Sequence, residues 1–294
     1  MAYKKRTYRK KKTSYRKKGG TVKRAVRKAK KQVFSKKVKS VINRMSETKV
    51  VNNATINKAV LNWDNDPAFQ NSIITLGSGS SSSYLFSIGQ GVGQGSRVGN
   101  KISTQKMMIR GSIRFNTQAN TSTNYNPIPG YVTMWIVKLK PFLNDDIASL
   151  QSVIDGSFFQ SGNGSVGMTG GLADMYRLVN SDQITVLKRR MWKLGVSAVI
   201  NFSGSSGGGG DTVNQNWGNN DFKLTHFFKQ DLSKCVPKTM TFNDSNNNFL
   251  ERRSYLFFSF IRMNDTIPVN TLGFAQGIVP AYVDFEVDYM YKDV

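Results

Sequence analysis

Lysine, arginine and tyrosine at the start of the chain are the residues best placed to do chemistry, and that chemistry is the capture of a polyanion. Residues 1–18 read Met-Ala-Tyr-Lys-Lys-Arg-Thr-Tyr-Arg-Lys-Lys-Lys-Thr-Ser-Tyr-Arg-Lys-Lys. Lys4, Lys5, Arg6, Arg9, Lys10, Lys11, Lys12, Arg16, Lys17 and Lys18 can track a phosphate backbone. Tyr3, Tyr8 and Tyr15 can stack on unpaired bases, a combination suited to single strands of any sequence. Beyond Gly19-Gly20 the cations continue as Lys23, Arg24, Arg27, Lys28, Lys30, Lys31, Lys36 and Lys37. They run alongside two apolar stripes, Val22, Val26, Ala29, Val33 and Phe34, Val38, Val41, Met45, each at i, i+4, i+7, i+11. That spacing predicts a segment over 21–45 able to become an amphipathic helix on a polyanion. The same composition suits a nuclear import signal. Membrane contact is the weaker alternative, because a stripe of mostly Val and Ala has little affinity for lipid.

The partition of charge sharpens this reading. Of 42 Lys and Arg, 20 lie in residues 1–44, which contain no Asp or Glu; the other 250 residues hold 22 Lys and Arg against 18 acids. So 20 of the 24 net positive charges sit in the arm and 4 in the body. A block of like charge cannot bury enough apolar surface to offset its ordering entropy, so residues 1–45 are expected to be disordered alone. Residues 46–294 are expected to form one domain.

Catalytic groups are scarce by comparison, and no enzyme activity is expected. The one histidine, His226, sits in a strand-like run and reads as a packed strand residue. Cys235 is the one cysteine, with no partner at zinc-ligand spacing and no disulfide to form. Asp64 and Asp66 precede Pro67 and read as a capped turn rather than a calcium site. The run Gly89-Gln-Gly-Val-Gly-Gln-Gly-Ser-Arg-Val-Gly99 matches neither phosphate-loop pattern and reads as a loop entering a strand. No cofactor and no metal are expected. The basic start has no apolar run, and no stretch nears the roughly 18 apolar residues that span a membrane. The chain therefore reads as soluble and made in a reducing compartment, with the sequons at Asn53, Asn163, Asn201 and Asn264 as chance matches.

The elements behind the arm read as strands. Met107, Ile109, Ile113 and Phe115 alternate with Met108, Arg110, Ser112 and Arg114, and Val283, Phe285, Val287, Tyr289 and Tyr291 alternate with Asp284, Glu286, Asp288, Met290 and Lys292. Further strands are predicted over 48–60, 73–76, 84–88, 131–140, 184–194, 222–228, 238–242 and 254–263, separated by Gly, Ser, Asn and Pro clusters. A short helix is predicted near 146–154, capped by Asn144 or Asp145, and another turn near 173–179. The pattern predicts an all-β fold, an antiparallel double-sheet jelly roll of about eight core strands with long loops. The strands at 131–136 and 255–261 are apolar on both faces, which requires a covering loop or a neighbouring subunit. Lys106, Arg110 and Arg114, with the Lys188-Arg189-Arg190 cluster, would extend the basic surface beyond the arm or form a salt-bridged face.

These residues carry a resemblance. The opening Met-Ala-Tyr-Lys-Lys-Arg-Thr-Tyr-Arg-Lys, the passage from Arg97 through Lys101 and Lys106 to Ile113 out of a Gly-rich loop, and the final aromatic strand from Tyr282 to Lys292 resemble capsid proteins of circovirus-like, replication-protein-encoding single-stranded DNA viruses. Small RNA viruses and satellites share the plan, so an RNA genome stays open. So does a β-sandwich nucleic-acid binder that does not assemble. The resemblance implies self-assembly into an icosahedral shell on the order of sixty subunits, with the arms inward on a single-stranded genome, DNA favoured. It also implies location in the virion and the host nucleus, with host import factors and an unidentified host receptor as partners. The loops 77–83, 162–171 and 203–217 would then face outward. Arms in that number would carry about 1200 positive charges, suited to a strand on the order of 1–3 kilobases.

Overall fold

The computed structural model describes residues 32–35, 47–60, 72–93, 95–115, 129–195, 223–243, 247–263 and 280–294. The chain divides after Glu47 into two units. Of the first, residues 32–35 form a helical turn in which the Ser35 hydroxyl donates to the Gln32 carbonyl at 3.0 Å.

The second unit opens with β1 (Lys49–Ala59), β2 (Ile74–Ser78), β3 (Tyr84–Phe86), β4 (Lys101–Phe115) and β5 (Gly130–Leu139). After helix α1 (Ile147–Gly156) come β6 (Phe159–Ser161), β7 (Gly164–Val166), helix α2 (Ala173–Tyr176) and β8 (Ile184–Leu194). The chain continues through β9 (Thr225–Asp231), β10 (Thr239–Thr241), β11 (Ser254–Arg262) and β12 (Ala281–Asp293). They build an all-β sandwich. One sheet runs β1-β12-β4-β10, with β9 also paired to β4; the other runs β3-β2-β11-β5-β8.

Alternation explains the first sheet. Ile109 and Ile113 of β4, and Val283 and Val287 of β12, point inward to meet Met134 and Ile136 of β5 and Leu256 and Phe258 of β11. Rings lock the sheets together: Phe258 lies 6.2 Å from Phe228 and 6.5 Å from Phe285. Room for them comes from Gly111, which is paired across strands with both Phe228 and Phe285. A Cβ at Gly111 would fall 2.1 Å from the Asp284 carbonyl oxygen and 2.6 Å from Phe285 Cβ. Burying each such aromatic contributes about 1.5–3 kcal/mol.

The second sheet is apolar on both faces because the chain covers it itself. The excursion between β5 and β8 lays α1 and the β6–β7 hairpin over the outer face, burying Trp135, Val137, Tyr255 and Phe257 against Leu150, Val153, Ile154, Phe158 and Phe159. Of the two covers the sequence allowed, loop or neighbour, the loop is the one used. Leu150, Val153 and Ile154 sit at i, i+3, i+4 and so share the buried stripe of α1. The cap of α1 is Asp146, whose carboxylate accepts from Ser149 N at 2.6 Å, instead of Asn144 or Asp145. Asp145 is occupied elsewhere: it accepts from Arg253 N at 2.7 Å and from the Tyr255 hydroxyl at 3.1 Å. The β6–β7 hairpin, which periodicity does not predict, turns on Gly162 at φ 56°. The strand predicted over 222–228 begins later, at Thr225, and runs to Asp231.

Candidate nucleic-acid interface

The predicted arm contacts, from Lys4 to Lys37 and including Tyr8 and Tyr15, all lie outside the described residues, as do Asp64, Asp66 and the loop 203–217. The cations expected to extend that surface on the body are described. Lys106, Arg110 and Arg114 project from β4, the strand between β12 and β9.

β4 and β12 alternate in the same register, so their outward residues form two facing rows. The β4 row is basic and the β12 row, Asp284, Glu286 and Asp288, is acidic. The Arg114 Nε donates to Asp284 Oδ2 at 2.7 Å, and its Nη2 donates to Asn57 Oδ1 at 2.6 Å. Arg110 pairs with Asp288. Asn57, at φ 53° in the β1 bulge, also donates its backbone N–H to Asp284 Oδ1 at 2.7 Å. Burial pushes the Asp284 carboxyl upward, but the Asn57 N–H and the Arg114 guanidinium outweigh it and hold the group below the usual carboxylate value. Arg110 and Arg114 therefore present a salt-bridged face, and of the three β4 cations Lys106 alone makes no ion pair among the described residues.

The second basic cluster is also engaged. Lys188 Nζ donates to the Asp231 carbonyl at 3.0 Å, joining the β8 edge to β9. The guanidinium of Arg189 lies 4.5 Å from the Trp135 ring centroid, and that of Arg190 lies 5.2 Å from Trp192. Burial lowers the pKa of Arg189 from its ordinary value. These side chains cap the second sheet's open edge with their stems and rings.

The histidine and the cysteine both have packing partners. His226 Nε2 meets the Lys193 carbonyl, tying β9 to β8. Cys235 is buried, and that burial pushes its thiol pKa up. Among the described residues no three of His, Cys, Asp and Glu gather as a metal site requires, and no helix is long and apolar enough to cross a membrane.

The Gly89–Gly99 run is a closed loop. Gly91 N donates to the Arg97 carbonyl and Arg97 N to the Gly89 carbonyl, both at 2.9 Å. Arg97 is 1 % exposed, stacks 4.4 Å from the Phe242 centroid, and donates to the Gly99 carbonyl at 2.9 Å and to Asn100 Oδ1 at 3.0 Å. Nearby, burial first, then Asp293, pushes the Tyr291 hydroxyl up to about 12. The Arg97 guanidinium is thus held inside the body as an internal cation.

Sequence reasoning missed Phe227. It follows His226 and precedes the buried Phe228, and is 83 % exposed on the outer face of β9. Alternation alone separates the two: Phe228 and Gln230 share the buried face of β9, and Phe227 shares the exposed face with Lys229 and Asp231. No family model matches this chain, and no curated protein matches it.

Proposed function

We propose that this chain is a viral capsid protein whose body associates with copies of itself into a small closed shell and whose arm, residues 1–45, binds a packaged single-stranded genome, DNA favoured. The observation that carries the reading is the charge partition: 20 of 24 net charges in the first 44 residues, ahead of a nearly neutral all-β body. Subunits must pack against one another without mutual repulsion, while the genome needs about one cation per phosphate neutralised. A single-chain binder with no self-contacts has no need of that separation.

Strand order supports the jelly-roll reading of the body. Following β1, β2, β4, β5, β8, β9, β11 and β12, each step crosses from one sheet to the other, β5 to β8 excepted. That winding places first and last strands side by side, as in two interlocked Greek keys. The arm also supplies a nuclear import signal in this reading, so the protein passes through the host nucleus before it resides in the virion. Host import factors and a host receptor are then partners. Since Arg110 and Arg114 are ion-paired and Lys106 is not, the genome contact rests on the arm, with Lys106 the β4 cation left to add to it.

Electron microscopy of the purified protein tests the reading. Uniform closed particles holding nucleic acid are expected, with DNase sensitivity of the extracted strand separating DNA from RNA. A protein that stays monomeric across salt and pH overturns it. Deleting residues 2–44 is expected to lower nucleic-acid content sharply and to flatten the salt dependence of binding.

A further inference from the structure

The outer face of the first sheet carries a groove of about 700 Å³ floored by β1, β12, β4 and β9. Phe227 and Ile56 lie in it, 83 % and 72 % exposed, on β9 and β1 with β4 and β12 between them. Large apolar side chains so exposed on a flat face are a cost in water and a contact in an assembly.

Charge decides what kind of partner fits. The groove's ionisable lining is Arg110 and Lys229 against Asp284 and Glu286, two of each sign. Arg110 is paired with Asp288 and Asp284 with Arg114. Lys229 and Glu286 are left, both exposed and in no ion pair among the described residues. They flank Arg110 in one cross-strand row, Glu286 on β12 and Lys229 on β9. A polyanion would meet the carboxylate row of Asp284, Glu286 and Asp288, which disfavours nucleic acid here. A second copy of the chain brings both missing charges at once, because a face with one spare cation and one spare anion is complementary to itself.

We infer that this groove is a contact between two copies of the chain, with Phe227 and Ile56 as its apolar contacts on either side and Lys229 of each copy paired with Glu286 of the other. The inference rests on the self-association proposed above and names the surface that performs part of it.

Charge swaps in the full-length, nuclease-treated protein test it, read by sedimentation velocity, with circular dichroism confirming folding. Lys229→Glu and Glu286→Lys are each expected to weaken self-association about tenfold or more, since each sets like charges against each other. The double swap is expected to restore it to within about threefold of the wild type. Phe227→Ser, at a position that supports no core, is expected to weaken it without rescue. If the wild type associates and all the variants associate alike, the inference falls and the capsid reading stands. Single swaps that weaken association without rescue by the double swap overturn the pairing. If Lys229→Glu lowers and Glu286→Lys raises nucleic-acid retention with self-association unchanged, the groove is a nucleic-acid site and the inference is wrong. A monomeric wild type removes the capsid reading itself.

Discussion

The two sheets solve the problem of their outer faces in opposite ways. The second sheet has Trp135, Tyr255 and Phe257 on its outer side and hides them under α1 and the β6–β7 hairpin of the same chain. The first sheet has rows of Arg and Asp there and leaves them in water, paired with each other. In the first, stability comes from ion pairs of little worth laid over a strong inner core. In the second, both faces are core. The outer face of the second sheet is thereby taken up inside the chain, whereas that of the first meets water.

The comparison predicts where substitutions hurt. Trp135 is buried, stacks on Phe257 with centroids 6.4 Å apart, and donates its indole N–H to the Ser259 hydroxyl at 2.9 Å. Trp135→Ala is expected to cost about 3–5 kcal/mol, read as a lowered denaturation midpoint. A loss under about 1 kcal/mol would mean that the cover is not packed on the sheet. Next comes Gly111→Val, at the inner side of the open sheet. Backbone atoms of Asp284 and Phe285 block its Cβ, so a loss of about 1–3 kcal/mol is expected in the same measurement.

The outer face of the open sheet should respond least. Arg114 is about half exposed, so a double-mutant cycle of Arg114→Ala with Asp284→Asn is expected to give a coupling of about 0.2–1 kcal/mol. The pH dependence has a definite sign. Because the folded Asp284 pKa lies below its ordinary 3.8, its contribution is present above that value. It is lost as pH falls below 3.8 through the depressed folded value. Asp284→Asn is expected to flatten that part of the acid unfolding curve, and an unchanged curve would count against the Asn57 and Arg114 contacts.

The same contrast explains what could be read from sequence. β4 and β12 were legible because one face is wet, so apolar and polar residues alternate cleanly. β5 and β11 were legible as strands, but their double burial named no cover; choosing α1 over a neighbouring subunit needs tertiary structure. The helix cap was narrowed to a polar run, and the selection of Asp146 followed from Asp145 being held by Arg253 and Tyr255, more than a hundred residues away in sequence. Arg110 and Arg114 were identifiable as outward-facing cations. That β12's carboxylates pair with them depends on register between strands about 170 residues apart, which no local pattern encodes.

The pairing of β1 with β12 has a consequence in time. Lys49 is matched to Tyr291, so the first strand waits for the last before its hydrogen bonds can form. β12 also supplies the neighbour of β4. A chain emerging from the ribosome at about 5–20 residues per second can pair β4 with β9 and β10 on one side, but it carries β1 unmatched until nearly all of the body has been made. Closing so long a loop slows folding, because the entropy is lost before the contacts return it. The first sheet is thus completed last, when β12 enters between β1 and β4. Its outer groove is complete only once β12 is in place, so the contact proposed for that surface waits on a finished body.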